Sequence, residues 1–511
     1  MGEQDNLNRR EFTSLAAAAA AGPKVSASFD PYFSSAVKAA EFIRSHKMSS
    51  VELTEIAFRR IDQVNPKLNA LVNLFREQAM EQARHADAAL AKKESLGPLH
   101  GVPITVKECF NVTGVPTTAG VPDWSQNRPK SNAVAVDRLL NAGAVLLGRT
   151  NVPMFLGDWQ SYNDVYKVTS NNPWDLSRTP GGSTGGGAAA TAAGAGFLTL
   201  GSDIGGSIRV PSHFCGIYGH KPTLQIVPLA GHVPPPGEPQ EDSFMDLAVA
   251  GPMARTPEDL RMALRLIAGP SGAASKALHW TLPAPRKTNL TDFRVGYVFD
   301  VPYCPLSDDS KPVFEELRDK LSKAGIKAEP GWPAGYDAES NLQSYLSLLY
   351  NWMAPPVPPE GRAALKAQFE KNPDDPILGA YFGLHADWLN MTWKRLAARA
   401  LWQSYFQTHD VFLMPVCFVP AFPHDHSQPM ERRTITTPSG KRPYLDAIRW
   451  PAVATLAGLP VTVAPIGRTK AGLPVGVQIM GPCYEDDTSI EFAIQLAKVA
   501  GGFEPPPAFR S

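Results

Sequence analysis

The chain has 511 residues, 43% of them apolar and 19% charged, with 49 basic side chains against 49 acidic ones. That composition suits a globular chain with ample core material, and the balanced charge excludes a field that recruits nucleic acid or an anionic membrane surface. Five scattered cysteines without a C-x-x-C pair exclude a disulfide framework and read as small buried hydrophobes.

Residues 1–30 form a distinct N-terminal tail. Asn8-Arg9-Arg10-Glu11-Phe12 precedes Leu15, a run of alanines and Gly22-Pro23, with Val25-Ser26-Ala27 placed near a cleavage site. Two readings stay open: a twin-arginine export signal leading to a bacterial periplasm, or a frayed alanine-rich helix end in a cytoplasmic protein. Elsewhere no run of about 18 apolar residues predicts a transmembrane helix. From 31 to 505 the pattern is that of one large domain. Ser49-Ser50-Val51-Glu52 reads as a capping box. Leu53, Ile56, Ala57, Ile61 and Val64 then share one helix face, and Asn65-Pro66 ends the helix. A second helix is expected over 71–90. Strands are expected at 101–107, 145–147, 293–299, 413–415, 459–463 and 475–479, and Thr488 with Glu491 caps a last helix stopping at Gly501. Helices and strands alternating in this way predict an α/β fold, a large single domain with a mixed, mostly parallel twisted sheet covered by helices on both faces. The stretch 332–440 differs, being aromatic, helical and interrupted by prolines. Tyr345, Leu349, Trp352 and Met353 have helical spacing there, which suits either cap packing or the wall of an apolar pocket. His424-Asp425-His426 lacks a third ligand signal and reads as a solvent loop.

Three segments carry chemistry. Gly181-Gly182-Ser183-Thr184-Gly185 and Asp203-Ile204-Gly205-Gly206-Ser207 each place a serine after a glycine pair. Glycine lets backbone run close to a ligand, leaving amide N–H groups to point at a bound atom, as a nucleophile beside an oxyanion hole requires. Upstream, Gly101-Val102-Pro103-Ile104-Thr105-Val106-Lys107 is a strand-like run carrying a lysine among apolar neighbours. Two serines and a desolvated lysine make a proton-transfer set for acyl transfer, so the expected activity is amide hydrolysis.

The run from 101 to 223 resembles the amidase signature family of serine hydrolases. The matching pieces are the Gly101 to Lys107 run, Arg149-Thr150-Asn151-Val152-Pro153, Asn172-Pro173-Trp174-Asp175, both glycine–serine clusters and Gly219-His220-Lys221-Pro222-Thr223. The resemblance extends over roughly 35–500, loosest between 280 and 450. It implies that Ser207 is the nucleophile, that Ser183 relays its proton across a cis Gly182–Ser183 peptide, and that Lys107, neutral in the free enzyme, receives it. It also implies a backbone oxyanion hole at Ile204, Gly205, Gly206 and Ser207, an ion pair between Asp203 and Arg209 that braces the loop, and a catalytic core at 101–223 under a variable helical covering at 332–440. No cofactor or metal is called for. The expected partner is a small-molecule amide, without nucleic acid or membrane, and a homodimer is compatible with the sequence.

Two positions depart from the usual pattern: Thr184, where a second serine is common, and Glu108, where aspartate is common. A carboxylate touching Lys107 would keep the lysine charged, but adjacent residues of a strand point to opposite faces. Other motifs fare worse. The G-x-S-x-G elbow at 181–185 needs a buried strand before it, and 175–180 is polar and ends in proline. Ser35 and Lys38 have S-x-x-K spacing without a later K-T-G, and the phosphate-loop pattern is absent. An amidase-like subunit of an aminoacyl-tRNA amidotransferase complex is the alternative function, opposed by the balanced charge. A catalytically dead binding protein is opposed by the retention of all three reactive residues. Leu156, Trp159, Tyr162 and the aromatic middle hint at an acyl pocket for aryl or fatty amides.

Overall fold

The computed structural model describes residues 29–94, 96–238, 245–354, 357–373 and 375–510. The arginine pair and alanine run read as an export signal lie outside the described residues. Eleven strands make the principal sheet: β1 (Leu71–Leu74), β2 (Pro103–Lys107), β3 (Val145–Thr150), β4 (Leu198–Asp203), β5 (Tyr218–Lys221), β6 (Val249–Ala254), β7 (Val295–Tyr297), β8 (Ala328–Pro330), β9 (Val411–Pro415), β10 (Val461–Arg468) and β11 (Pro474–Met480). Their spatial order is β1-β3-β2-β4-β6-β5-β10-β11-β9-β7-β8. The sheet is mixed. β3, β2 and β4 run parallel on one flank and β9, β7 and β8 on the other. The centre from β4 through β6, β5, β10 and β11 to β9 is antiparallel, as is edge strand β1 against β3. Every residue of β2, β3 and β4 is buried, which requires cover on both faces. No helix among the described residues is long and apolar enough to cross a membrane.

The capping box forms as expected: Ser49 Oγ accepts the Glu52 N–H while the Glu52 carboxylate accepts the Ser49 N–H. Its helix, however, runs from Ser50 to Leu68, straight through Pro66. A proline in the last turn removes only one backbone donor, and Asn69 in the left-handed region closes the end. The helix expected over 71–90 begins later, at Arg76, because Asn65 Oδ1 accepts the N–H groups of Ala70 and Leu71 and β3 offers an edge for 71–74. The last helix likewise starts at Asp486, with Thr488 buried inside it rather than capping it.

The aromatic stretch folds as the helices Ala338–Met353, Pro359–Lys371, Pro376–Phe382 and His385–Tyr405. Tyr345, Trp402 and Phe406 enter a core shared with Phe412 and Trp450, whereas Trp352, Met353 and Trp393 are exposed. Core packing therefore accounts for part of the aromatic pattern only.

What positions the site is the parallel pair β2–β4. Thr105 lies beside Thr199 and Val106 beside Leu200, so both strands deliver their carboxyl ends to one place, Lys107 from one and Ser202-Asp203 from the other. The helix Gly185–Ala192 is wholly buried. It is built of glycine, alanine and threonine because little else fits: a Cβ on Gly186 would lie 2.5 Å from the Ala70 carbonyl oxygen. That close approach brings its amino end, with Ser183 just before it, against the end of β2.

Candidate active site

Lys107 closes β2 and is fully buried. Its Nζ lies 2.7 Å from Ser183 Oγ, 3.0 Å from Ser202 Oγ and 3.4 Å from the Ser202 carbonyl oxygen. Burial pulls the amine down from its ordinary value of 10.5 to about 8, against the opposing pull of Cys109 and Asp203. Glu108 does not touch it. The Glu108 carboxylate accepts the Thr118 N–H and hydroxyl at 2.9 Å each, the Ala119 N–H at 2.8 Å and the Tyr166 hydroxyl at 2.9 Å, and faces Arg149 at 3.9 Å. The acidic neighbour is engaged on the far side of the chain, and the lysine is left with hydroxyls and a carbonyl.

Ser183 is buried, and the Gly182–Ser183 peptide is cis. Gly182 is obligatory there, since a Cβ would come within 2.3 Å of the Asp158 carbonyl oxygen. The two serine segments are tied by the Thr184 N–H, which donates to the Ser207 carbonyl at 3.2 Å. Thr184 also uses its hydroxyl, 3.4 Å from the Ser202 carbonyl, so the departure from serine keeps a polar contact. Ser207 is 6% exposed, against 1% for Ser183, and its hydroxyl makes no hydrogen bond among the described residues. Lys107 and Ser183 are thus directly joined, and Ser207 reaches them through the backbone.

The loop before Ser207 is braced from beneath. Asp203 and Arg209 pair at 2.8 Å with both side chains fully buried. Asp203 also accepts the N–H groups of Gly206 (2.9 Å) and Ile208 (3.0 Å), while Arg209 reaches the Pro451 carbonyl, Gln478 and Thr455. Burial alone would raise the Asp203 carboxyl, but Arg209 and these amides overcome it and hold it at about 2. One of the expected donors is engaged elsewhere. The Gly206 N–H, expected in the oxyanion hole, is already donated to Asp203. The N–H groups of Ile204, Gly205 and Ser207 donate to no other group among the described residues.

Two aromatic side chains hold the same loop from above. Tyr345 donates its hydroxyl to the Ile204 carbonyl and Trp159 its indole N–H to the Gly205 carbonyl, each at 3.0 Å. Trp159 is therefore a buried clamp on the loop. Tyr162 stacks on His426 with ring centres 3.7 Å apart and accepts from Arg433 and Gln428. Leu156 sits half-buried in the turn Met154–Leu156 with φ 59°. No hydrogen bond joins either to Lys107, Ser183 or Ser207 among the described residues. Sequence reasoning missed Ser202 and Tyr345. Ser202 had a signal, standing beside Asp203 in the second cluster; Tyr345 had only helical spacing. All five cysteines are buried and free, and no group of His, Cys, Asp or Glu suited to a metal occurs among the described residues.

The Amidase family model matches residues 52–490. Among curated proteins, a glutamyl-tRNA(Gln) amidotransferase subunit from Carboxydothermus hydrogenoformans is 32% identical, covering 94% of this chain and 98% of its own. Its counterpart from Nostoc sp. is 31% identical over 87% of this chain and 93% of its own. Among solved structures, an amidase is 27% identical with a TM-score of 0.72, covering 91% of this chain and 99% of that one. A chain from a vestigial complex bearing on the origins of an s-triazine catabolic enzyme is 25% identical with a TM-score of 0.76, covering 92% and 100%. A bacterial aryl acylamidase, 20% identical with a TM-score of 0.75, shares the fold.

Proposed function

This chain belongs to the Amidase family and is an amide hydrolase; we propose that it cleaves a carboxylic amide to acid plus ammonia or amine through an ester formed on Ser207. Ser207 Oγ attacks the carbonyl carbon, its proton passes to Ser183 Oγ, and the Ser183 proton passes to Lys107 Nζ. The carbonyl electron pair moves onto oxygen, where the N–H groups of Ile204, Gly205 and Ser207 receive it. Collapse of this intermediate breaks the C–N bond, and the proton returns along the same wire to the leaving nitrogen. Water then attacks the ester by the same route, releasing the acid and restoring Ser207.

The observation that carries this reading is the 2.7 Å contact between a fully buried Lys107 amine and Ser183 Oγ, with no carboxylate clasping the lysine among the described residues. A base near pH 8 is matched to accept a proton from a hydroxyl under ordinary conditions. Hydrolysis of a panel of aliphatic and aromatic amides tests the class of substrate, and Ser207→Ala tests the nucleophile. That variant should lose turnover and the acyl adduct seen by intact-protein mass spectrometry while keeping its thermal transition. Wild-type rates in Ser207→Ala would remove Ser207 from the role.

The curated relatives favour a second reading, in which the amide is hydrolysed to supply ammonia within a tRNA-dependent amidotransferase complex. Co-purification with partner subunits, and glutamine hydrolysis that depends on them, would support it. Full turnover of a simple amide by the isolated chain would favour the free-standing amidase.

A further inference from the structure

This inference rests on Lys107 as the base. A neutral amine has two N–H groups and one lone pair. To take the Ser183 proton, the lone pair must face Ser183 Oγ, so both N–H groups must donate elsewhere. The Ser202 carbonyl at 3.4 Å serves one and Ser202 Oγ at 3.0 Å the other. Ser202 Oγ then accepts from the lysine and must send its own proton away from it. His232 Nε2 lies 2.9 Å from that oxygen.

We propose that His232, protonated on Nδ1, accepts the Ser202 hydroxyl through Nε2 and so keeps the lone pair of Lys107 aimed at Ser183. His232 touches no reacting atom and acts as a positioning residue. The surroundings agree. The Pro234 backbone favours a proton on the ring, and Nδ1 is the ring nitrogen that no other hydrogen bond occupies among the described residues. The ring packs edge-on to Phe110 with centres 5.2 Å apart, and the two backbones form an isolated bridge. Burial, then the Lys107 charge, push the imidazole down to about 3, so it stays neutral. The remaining titratable neighbour is Cys109, with Sγ 3.4 Å from Nε2 and 3.8 Å from Ser202 Oγ. Burial raises its thiol to about 11, and a protonated thiol is a poor substitute acceptor. Asp203 faces the lysine electrostatically but is occupied by Arg209. Remove the imidazole, and the Ser202 hydroxyl is left to turn onto the Lys107 lone pair, in competition with Ser183.

The test uses the whole enzyme with His232→Leu, which removes the acceptor, and His232→Gln, whose amide oxygen can take the place of Nε2. General-base catalysis contributes about 10²–10⁴-fold, and His232→Leu should lose roughly tenfold or more of it in kcat with KM nearly unchanged. The acid limb of its pH profile should move to lower pH, because a hydroxyl donating to the neutral amine favours the neutral form. His232→Gln should recover most of the rate. Imidazole ¹⁵N NMR of the wild-type enzyme should show Nδ1 protonated and Nε2 bare, a measurement that stands even if a variant fails to fold. A protonated Nε2, or a folded His232→Leu with the wild-type kcat and pH profile, overturns the proposal. Lys107→Met separates the two levels: activity in that variant sinks the base itself. An inactive Lys107→Met beside an unaffected His232→Leu sinks only the role of His232.

Discussion

Tyr345→Phe isolates one hydrogen bond at the loop proposed to receive the oxyanion. The phenol ring is fully buried and stays in place in the variant, so no cavity opens. What is lost is the 3.0 Å bond from its hydroxyl to the Ile204 carbonyl. That carbonyl shares a rigid, planar peptide with the Gly205 N–H, and the two point in opposite directions. The tyrosine therefore fixes the direction of a donor it never touches. Two magnitudes bound the effect. Losing an oxyanion donor outright costs about 2.7–4 kcal/mol of barrier, whereas a typical internal hydrogen bond is worth a net ~0.5–1.5 kcal/mol. The donor is loosened rather than deleted, and Trp159 still holds the next carbonyl. A barrier increase of about 1.4 kcal/mol is expected, which is a roughly tenfold fall in kcat. Steady-state kinetics on a hydrolysed amide measures it, with KM nearly constant because the oxyanion exists only after attack. Thermal unfolding of the same sample gauges any cost in stability. A kcat within twofold of wild type in a normally folded Tyr345→Phe would refute the reasoning.

The pH dependence follows from Lys107. A base with its pKa lowered to about 8 is increasingly neutral as pH rises through 8. The kcat/KM should therefore climb about tenfold per pH unit below 8 and level off above it, and a profile flat from pH 6 to 9 would exclude Lys107 as the base. Asp203→Asn leaves Arg209 buried without its charge partner. Breaking such a pair costs about 3–5 kcal/mol, so denaturant titration should show a large loss of stability and activity should fall with it. The native pair has its own pH signature. A carboxyl held at about 2 contributes stability above its ordinary value of 3.8, and that contribution is lost as pH falls through 2. Glu108→Gln, by contrast, should leave the acid limb in place, since its carboxylate bonds Thr118, Ala119 and Tyr166 rather than the lysine. A limb displaced by a full unit would show that the two groups are coupled.

The parts of this site that were legible in the sequence are those whose requirements are local. A glycine pair before a serine states its own backbone needs, and the apolar run ending in Lys107 declares both a buried strand and a desolvated amine. The Asp203–Arg209 brace, six positions apart, was readable for the same reason: one loop contains both partners. What was not legible depends on where other segments arrive. Asn65 looked like a helix stop beside Pro66, but its side chain reaches forward to the N–H groups of 70 and 71 and converts the next segment into an edge strand. The N–H groups of the loop before Ser207 divide in a way no motif shows, because the Gly206 amide is claimed by Asp203 once the loop curls over that carboxylate. Tyr345 comes from the region where the family resemblance is loosest, yet it grips the loop before Ser207. The same logic applies to the lysine. Its low basicity comes from burial that the apolar strand announces, but the direction of its lone pair is set by Ser202 and then by His232, a residue with no motif around it. A buried amine can be recognised from a line of residues. Whether it serves as a base depends on which acceptors take its hydrogens, and only the folded arrangement supplies them.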